Sequence, residues 1–166
     1  MSGFQWRPMG PRDIDGVVAV ARVAFPNHFE ARECFVERLA LFPQGCFVLA
    51  SAEAVKGYLI AYPWPLGSVP PLNSLLGGLP ETREAFYLHD LAFDPEVRGQ
   101  GHARPIVERL AADLRALGAE RIALVSVNDS LSFWRGMGFE PVTGDEAMRR
   151  KLASYGGDST YMVREI

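Results

Sequence analysis

At 166 residues, with 48% hydrophobic and 22% charged side chains, the chain has the size and composition of one globular domain. A net charge of −3 supplies no basic field able to neutralise a run of phosphates, so nucleic acid is not expected as the main partner. The longest apolar stretches, Cys46 to Ala50 and Ile122 to Val127, fall far short of the roughly 20 residues that span a bilayer, and no membrane association is expected.

Along the chain, a short strand is expected at Phe4 to Arg7. Asp13 then precedes Ile14, Val17, Val18 and Ala21 at helical spacing, which predicts a capped first helix. A second helix is expected from Glu30 to Leu41, ended by Pro43 and Gly45. Cys46 to Ser51 and Val55 to Tyr62 read as an antiparallel hairpin rich in β-branched and aromatic residues. Pro63 to Pro80 is rich in Pro, Gly and Leu and reads as a long ordered loop, and Ala85 to Phe93 as a strand. From His102 the apolar positions Ala103, Ile106, Val107, Leu110, Ala111, Leu114 and Leu117 form a stripe at helical spacing. Pro105 falls in the first turn of that helix, where its missing N–H breaks no hydrogen bond, and Gly118 ends it. Arg121 to Val127 is a buried strand, Asn128 or Asp129 caps a short helix through Arg135, and Gly138 to Val142 and Thr160 to Arg164 are the last strands. This order predicts a mixed α/β fold with one central sheet.

Between strand and helix lies Val97-Arg98-Gly99-Gln100-Gly101-His102-Ala103. Its glycines allow close approach of the backbone, and unpaired N–H groups at the helix start favour anionic oxygens. It has neither the Lys-Ser/Thr ending of a triphosphate loop nor the G-x-G-x-x-G pattern, so a pyrophosphate is the better-matched ligand. An ordinary strand-to-helix turn would also use glycine at these positions.

The surrounding residues resemble the Gcn5-related N-acetyltransferase (GNAT) superfamily. Arg98-x-x-Gly101-x-Ala103 is similar to its R/Q-x-x-G-x-G/A motif, Leu91-Ala92-Phe93-Asp94-Pro95 to its L-A-V-x-P strand end, and Asn128 with Phe133-Trp134-Arg135-Gly136-Met137-Gly138-Phe139 to its N…F-Y-x-x-x-G-F. The resemblance is carried by Tyr87 to Phe139. It implies a single domain over residues 1–166 with a mostly antiparallel sheet of six to seven strands flanked by helices, and splayed parallel strands at an acyl-CoA site. The implied co-substrate is acetyl-CoA. The backbone of Leu91, Ala92 and Phe93 would hold the pantetheine arm and that of Val97 to Ala103 the pyrophosphate, with Asn128 and Trp134 beside the cofactor.

A protonated alkyl amine has no lone pair to attack a thioester, so the reaction needs a proton acceptor. His89 suits that work, because its ordinary pKa is near neutrality and it lies on the strand expected to hold the thioester. Strand periodicity puts Tyr87, His89, Leu91 and Phe93 on one face and Asp90 on the other. The Tyr87-x-His89 pair is also similar to the histidine pair of arylalkylamine N-acetyltransferases. Trp134 stands where the family often has a general-acid tyrosine, and an indole N–H cannot shuttle a proton; Tyr87, Tyr155 or water could return it. Phe25, Phe29 and Trp64 are expected near the acceptor, with a small-molecule amine as first choice and a peptide or protein amine as second. A non-catalytic acyl-CoA-binding domain is the alternative from another class, and a homodimer is compatible with the sequence.

Cys34 and Cys46 read as buried thiols of a reducing compartment, and none of His28, His89 and His102 has metal-like spacing, so no metal is expected. The N-terminal MSGFQWRPMG lacks a charged region followed by a long apolar run, which makes a cytoplasmic location the expectation.

Overall fold

The computed structural model describes residues 3–81 and 83–166; Met1, Ser2 and Thr82 lie outside the described residues. The elements are β1 (Gln5–Pro8), α1 (Ile14–Ala24), α2 (Arg32–Leu41), β2 (Cys46–Ala50), β3 (Val55–Pro63), β4 (Ala85–Phe93), α3 (Ala103–Ala116), β5 (Arg121–Ser126), α4 (Leu131–Gly136), β6 (Glu140–Pro141), α5 (Glu146–Ala153) and β7 (Thr160–Glu165). They build one seven-stranded sheet in the order β1-β2-β3-β4-β5-β7-β6, antiparallel throughout except for the β4–β5 pair.

Helices cover both faces. Phe35 of α2 meets Tyr58 of β3 edge-on at 6.0 Å on one side, while Arg109 of α3 lies 4.9 Å over the Phe47 ring of β2 on the other. The stripe predicted for α3 is its buried face from Ile106 to Leu114, with Ile106, Val107, Leu110, Ala111 and Leu114 all inside, whereas Leu117 follows the helix end and is exposed. Burial of that stripe, at about 25 cal/mol per Å² of apolar area, is what fixes α3 against the sheet.

Parallel pairing of β4 with β5 runs only from Ala85–Arg121 to Tyr87–Ala123. Beyond it Leu88–Phe93 and Leu124–Ser126 diverge, so the strands splay at their C-terminal ends as expected. A second irregularity lies on the other side of β4. Ile60 opposes Asp90 but Ala61 opposes Leu88, which leaves His89 as the extra residue of a β-bulge.

Several expectations need correction. Asp13 starts α1 but does not cap it, because its carboxylate accepts from the Arg7 guanidinium and the Gly10 N–H. The second helix starts at Arg32, freeing Glu30 to turn inward. Neither Asn128 nor Asp129 caps α4; both adopt left-handed backbone (φ 54° and 59°), Ser130 is the N-cap residue, and its hydroxyl donates to Val127 O. The strand expected at Gly138 to Val142 is reduced to Glu140–Pro141. Helix α5 was not expected at all. It buries little beyond Met148, and so has no apolar stripe to betray it, but Asp145 caps it by accepting from Met148 N–H.

Candidate active site

The splay opens a cavity of about 810 Å³ walled by β4 and β5, the start of α3, the segment from α1 to Glu30, and Tyr155 beyond α5. Of the residues singled out from sequence, Phe25, Phe29, Tyr87, His89, Leu91, Ala92, Phe93, Val97, Arg98, Gly99, Gly101, His102, Ala103, Asn128 and Trp134 line it. Gln100 and Trp64 do not. The Gln100 side chain instead donates to Glu96 O, and Trp64 packs edge-on against Tyr62 at 5.8 Å.

Gly99 and Gly101 have φ of 73° and 80°, the left-handed region that disfavours a Cβ, and no other group comes within 4 Å of where a Cβ would stand at either. They are therefore required by backbone conformation and leave their surface open at the head of α3. Arg98 turns back to donate from Nε to Phe93 O, tying the loop to the end of β4. Trp134 is largely buried, meeting Phe133 and Phe139 edge-on at 5.0 and 5.4 Å, so it forms a packed wall.

The bulge rearranges the other end of the cavity. Cross-strand partners share a face, so Tyr87, Asp90 and Ala92 lie on the face of Tyr58, Ile60 and Tyr62, while Leu91 and Phe93 fall on the opposite one. The simple alternation predicted from sequence is thus broken at His89: Asp90 does lie opposite Leu91 and Phe93, but Tyr87 shares its face instead of theirs, and Asp90 Oδ2 is 4.0 Å from His89 Nε2 and accepts from the Tyr58 hydroxyl at 2.8 Å. His89 is engaged at both ring nitrogens, with Glu30 Oε1 2.5 Å from Nε2 and the Tyr62 hydroxyl 3.3 Å from Nδ1. Glu30 Oε2 in turn accepts from Arg38 Nη2 and from the Asn73 N–H, both at 3.2 Å. Arg38 is 1% exposed and also donates to Cys34 O.

Electrostatics follow from this packing. Burial by itself would push the Glu30 carboxyl up, but His89, Arg38 and the Asn73 N–H bring it down to about 2. Burial lowers the His89 pKa, and Glu30 followed by Asp90 outweigh it, holding the imidazole above its usual value. Asp90 is pushed up to about 6, first by burial and then by Glu30, against the pull of His89. Asp90 therefore titrates close to neutrality and, with its side chain 13% exposed against 2% for His89, has the better access to the cavity.

Glu30, Arg38, Tyr58 and Tyr62 were not assigned to the site from sequence, and Asp90, read first as a surface or helix-pairing carboxylate, had a base role only as the alternative. They come from four separate elements and loops with no common spacing. Atoms of Glu30, His89 and Asp90 suited to metal binding lie within 4.8 Å of one another, a proximity the sequence spacing of the histidines did not reveal. Arg38 already shares the Glu30 carboxylate and His89 favours its protonated form, so the trio is built as an ion-pair network.

Both cysteines are buried free thiols, and burial pushes Cys46 up to about 12, far from a reactive thiolate. Among the described residues no helix is long and apolar enough to cross a membrane.

The same architecture occurs in solved structures. Ard1 from Thermoplasma volcanium superposes with a TM-score of 0.75 at 14% identity, covering 99% of each chain. The GphF GNAT-like decarboxylase in complex with isobutyryl-CoA reaches 0.81 at 20% identity, over 97% of this chain and 98% of that one. The NatC complex bound to Gag peptide and CoA gives 0.71 at 18%, over 98% of both. No curated protein sequence matches the chain. The family model described as "Acetyltransferase (GNAT) family" matches residues 14–139, most of the chain and all of the cavity walls except Tyr155, and the protein therefore belongs to the acetyltransferase (GNAT) family.

Proposed function

We propose that the protein transfers an acetyl group directly from acetyl-CoA to a primary amine of a small molecule. The observation that carries this reading is that one cavity joins the open glycine backbone at the head of α3 to the Glu30–His89–Asp90 network. The N–H groups at the start of α3 and the backbone of Gly99 and Gly101 would hold the pyrophosphate, with Val97, Arg98, His102 and Ala103 around it. The backbone of Leu91, Ala92 and Phe93 would hold the pantetheine, and Asn128 and Trp134 would flank the cofactor from the other side of the splay.

Asp90 meets the incoming ammonium and takes its proton, with His89 as the adjoining charge partner, since both nitrogens of His89 are already bonded. The freed amine attacks the thioester carbon; the C–N bond forms, the C–S bond breaks, and the electron pair leaves on the CoA sulfur. A thiolate with an ordinary pKa near 8.5 leaves without a strong acid, so Trp134 in the family's tyrosine position is no obstacle. Backbone N–H groups of β4 near the bulge would stabilise the oxyanion.

A small acceptor is supported by the Pro-rich loop, which is pinned beside the site rather than left open to an extended peptide. Tyr155 Oη donates to Pro70 O, Tyr161 Oη accepts from Gly67 N–H, and Glu37 accepts from Leu76 and Gly77 N–H. Phe25 and Phe29 on the cavity wall suit an apolar or aromatic body attached to the amine. The test is free-thiol release from acetyl-CoA in the presence of a panel of small amines and N-terminal peptides. Release with arylalkyl or alkyl amines supports the proposal. Release with peptides alone replaces the acceptor class, and thermal stabilisation by acetyl-CoA without any release supports a binding domain.

A further inference from the structure

Arg38 and Glu30 form a buried ion pair that fold stability alone does not require, because well-packed apolar residues in such places are often as stabilising or more so. The pair does not end in itself. Glu30 spends one oxygen on Arg38 and the Asn73 N–H and the other on His89 Nε2, and His89 stands 4.0 Å from the carboxylate that faces the cavity. The groups gathered about the imidazole are Glu30 from the segment between α1 and α2, Arg38 from α2, Tyr58 and Tyr62 from β3, Tyr87 and Asp90 from β4, and Tyr155 against Tyr87.

Resting on the amine-acetylation reading, we propose that Glu30 is a positioning residue for the reaction. By clamping His89 Nε2 while Arg38 neutralises its other oxygen, it fixes His89 as the proton-bearing neighbour of Asp90. Glu30 touches neither acetyl-CoA nor amine on this assignment and acts through His89. A carboxylate can only accept, so Nε2 must carry hydrogen; Tyr62 then meets Nδ1 in either protonation state of the ring.

Glu30→Gln tests this with little change of shape. A carboxamide oriented with its oxygen toward Arg38 presents N–H groups to His89, which inverts the bond and favours a bare Nε2. The expected result at pH 7 is a loss of kcat/KM for amine of about 100-fold, the scale of a displaced acid–base group, with KM for acetyl-CoA little changed. At pH 9.5 the free amine is abundant, and the loss should shrink to less than about tenfold. An equal loss at both pH values marks mere structural damage and overturns the proposal. Nitrogen-15 NMR of the wild-type imidazoles at pH 7 provides the check that needs no variant: His89 Nε2 should carry a proton, and a bare Nε2 overturns the assignment even if Glu30→Gln fails to fold. If no amine elicits thiol release from the wild type, the acetylation reading falls and the catalytic role of Glu30 with it, while the same spectrum decides separately whether Glu30 holds the imidazole.

Discussion

Replacing Asp90 by Asn keeps the side chain's size and its capacity to accept from Tyr58 while removing a charge that burial penalises. The carboxyl titrates at about 6 in the fold against 3.8 ordinarily, a displacement of roughly 2 pKa units. At 1.36 kcal/mol per unit this makes the ionised side chain cost the folded state about 3 kcal/mol at pH 7. The sign is fixed by proton counting. Between pH 4 and 6 the native chain keeps a proton that the unfolded chain has lost, so this group's contribution to stability falls as pH rises through the window and is level above it. Asp90→Asn escapes the penalty and should therefore be the more stable protein at pH 7, by up to about 3 kcal/mol, with the advantage vanishing near pH 4. Urea denaturation of both proteins at pH 4, 5, 6 and 7 measures the difference directly, since the acid sensitivity of Glu30 is common to both. Amine-dependent thiol release should fall about 100-fold in the same variant. A variant that is no more stable than wild type at pH 7, with a difference that does not change with pH, would refute the argument that the site holds Asp90 near neutrality at the expense of the fold.

Arg38→Met should destabilise by about 3–5 kcal/mol in equilibrium denaturation, because it leaves the buried Glu30 without its cationic partner. Gly101→Ala meets no neighbouring atom but imposes a side chain on a φ of 80°, so it should cost about 1–2 kcal/mol in the same measurement and reduce the thermal shift given by CoA. Trp134→Ala removes a buried wall from between Phe133 and Phe139 and should cost about 3–5 kcal/mol. Glu30, brought down to about 2 from 4.5, contributes stability above pH 4.5 that is lost as pH falls through that window, so Glu30→Gln should lose less stability than wild type between pH 4.5 and 2.

The glycine-rich end of the cavity, proposed here for the cofactor, had its local conformation legible in sequence. Gly99 and Gly101 must adopt positive φ, Pro105 must lie in a first helical turn, and the stripe from Ile106 to Leu114 must face a sheet. Each is a short-range requirement written in adjacent residues. At the other end, proposed for acid–base chemistry, sequence pointed to His89 and Tyr87. Asp90 was separated from Tyr87 and His89 because period-two alternation holds only while strands stay in register, and the bulge that breaks register depends on how β3 pairs with β4. Glu30 looked like the first residue of a helix, and only the fold shows it leaving that helix to reach His89, 59 positions away. Helix α5, which leads to Tyr155 on the cavity wall, escaped because it is held by its cap and little buried surface.

Charge balance gives the buried network a chemical rationale that stability does not. With His89 protonated, Arg38 and His89 balance Glu30 and ionised Asp90, so the resting set sums to zero and its burial is offset within itself. On the proposed route an ammonium delivers its proton to Asp90, and the set then carries one net positive charge at the moment when the thioester oxygen gains a negative one. Because Asp90 stands 4.0 Å from His89 on the wall of the cavity, with side chains only 13% and 2% exposed, the two changes would occur near each other among largely buried groups, where opposite charges attract more strongly than in water.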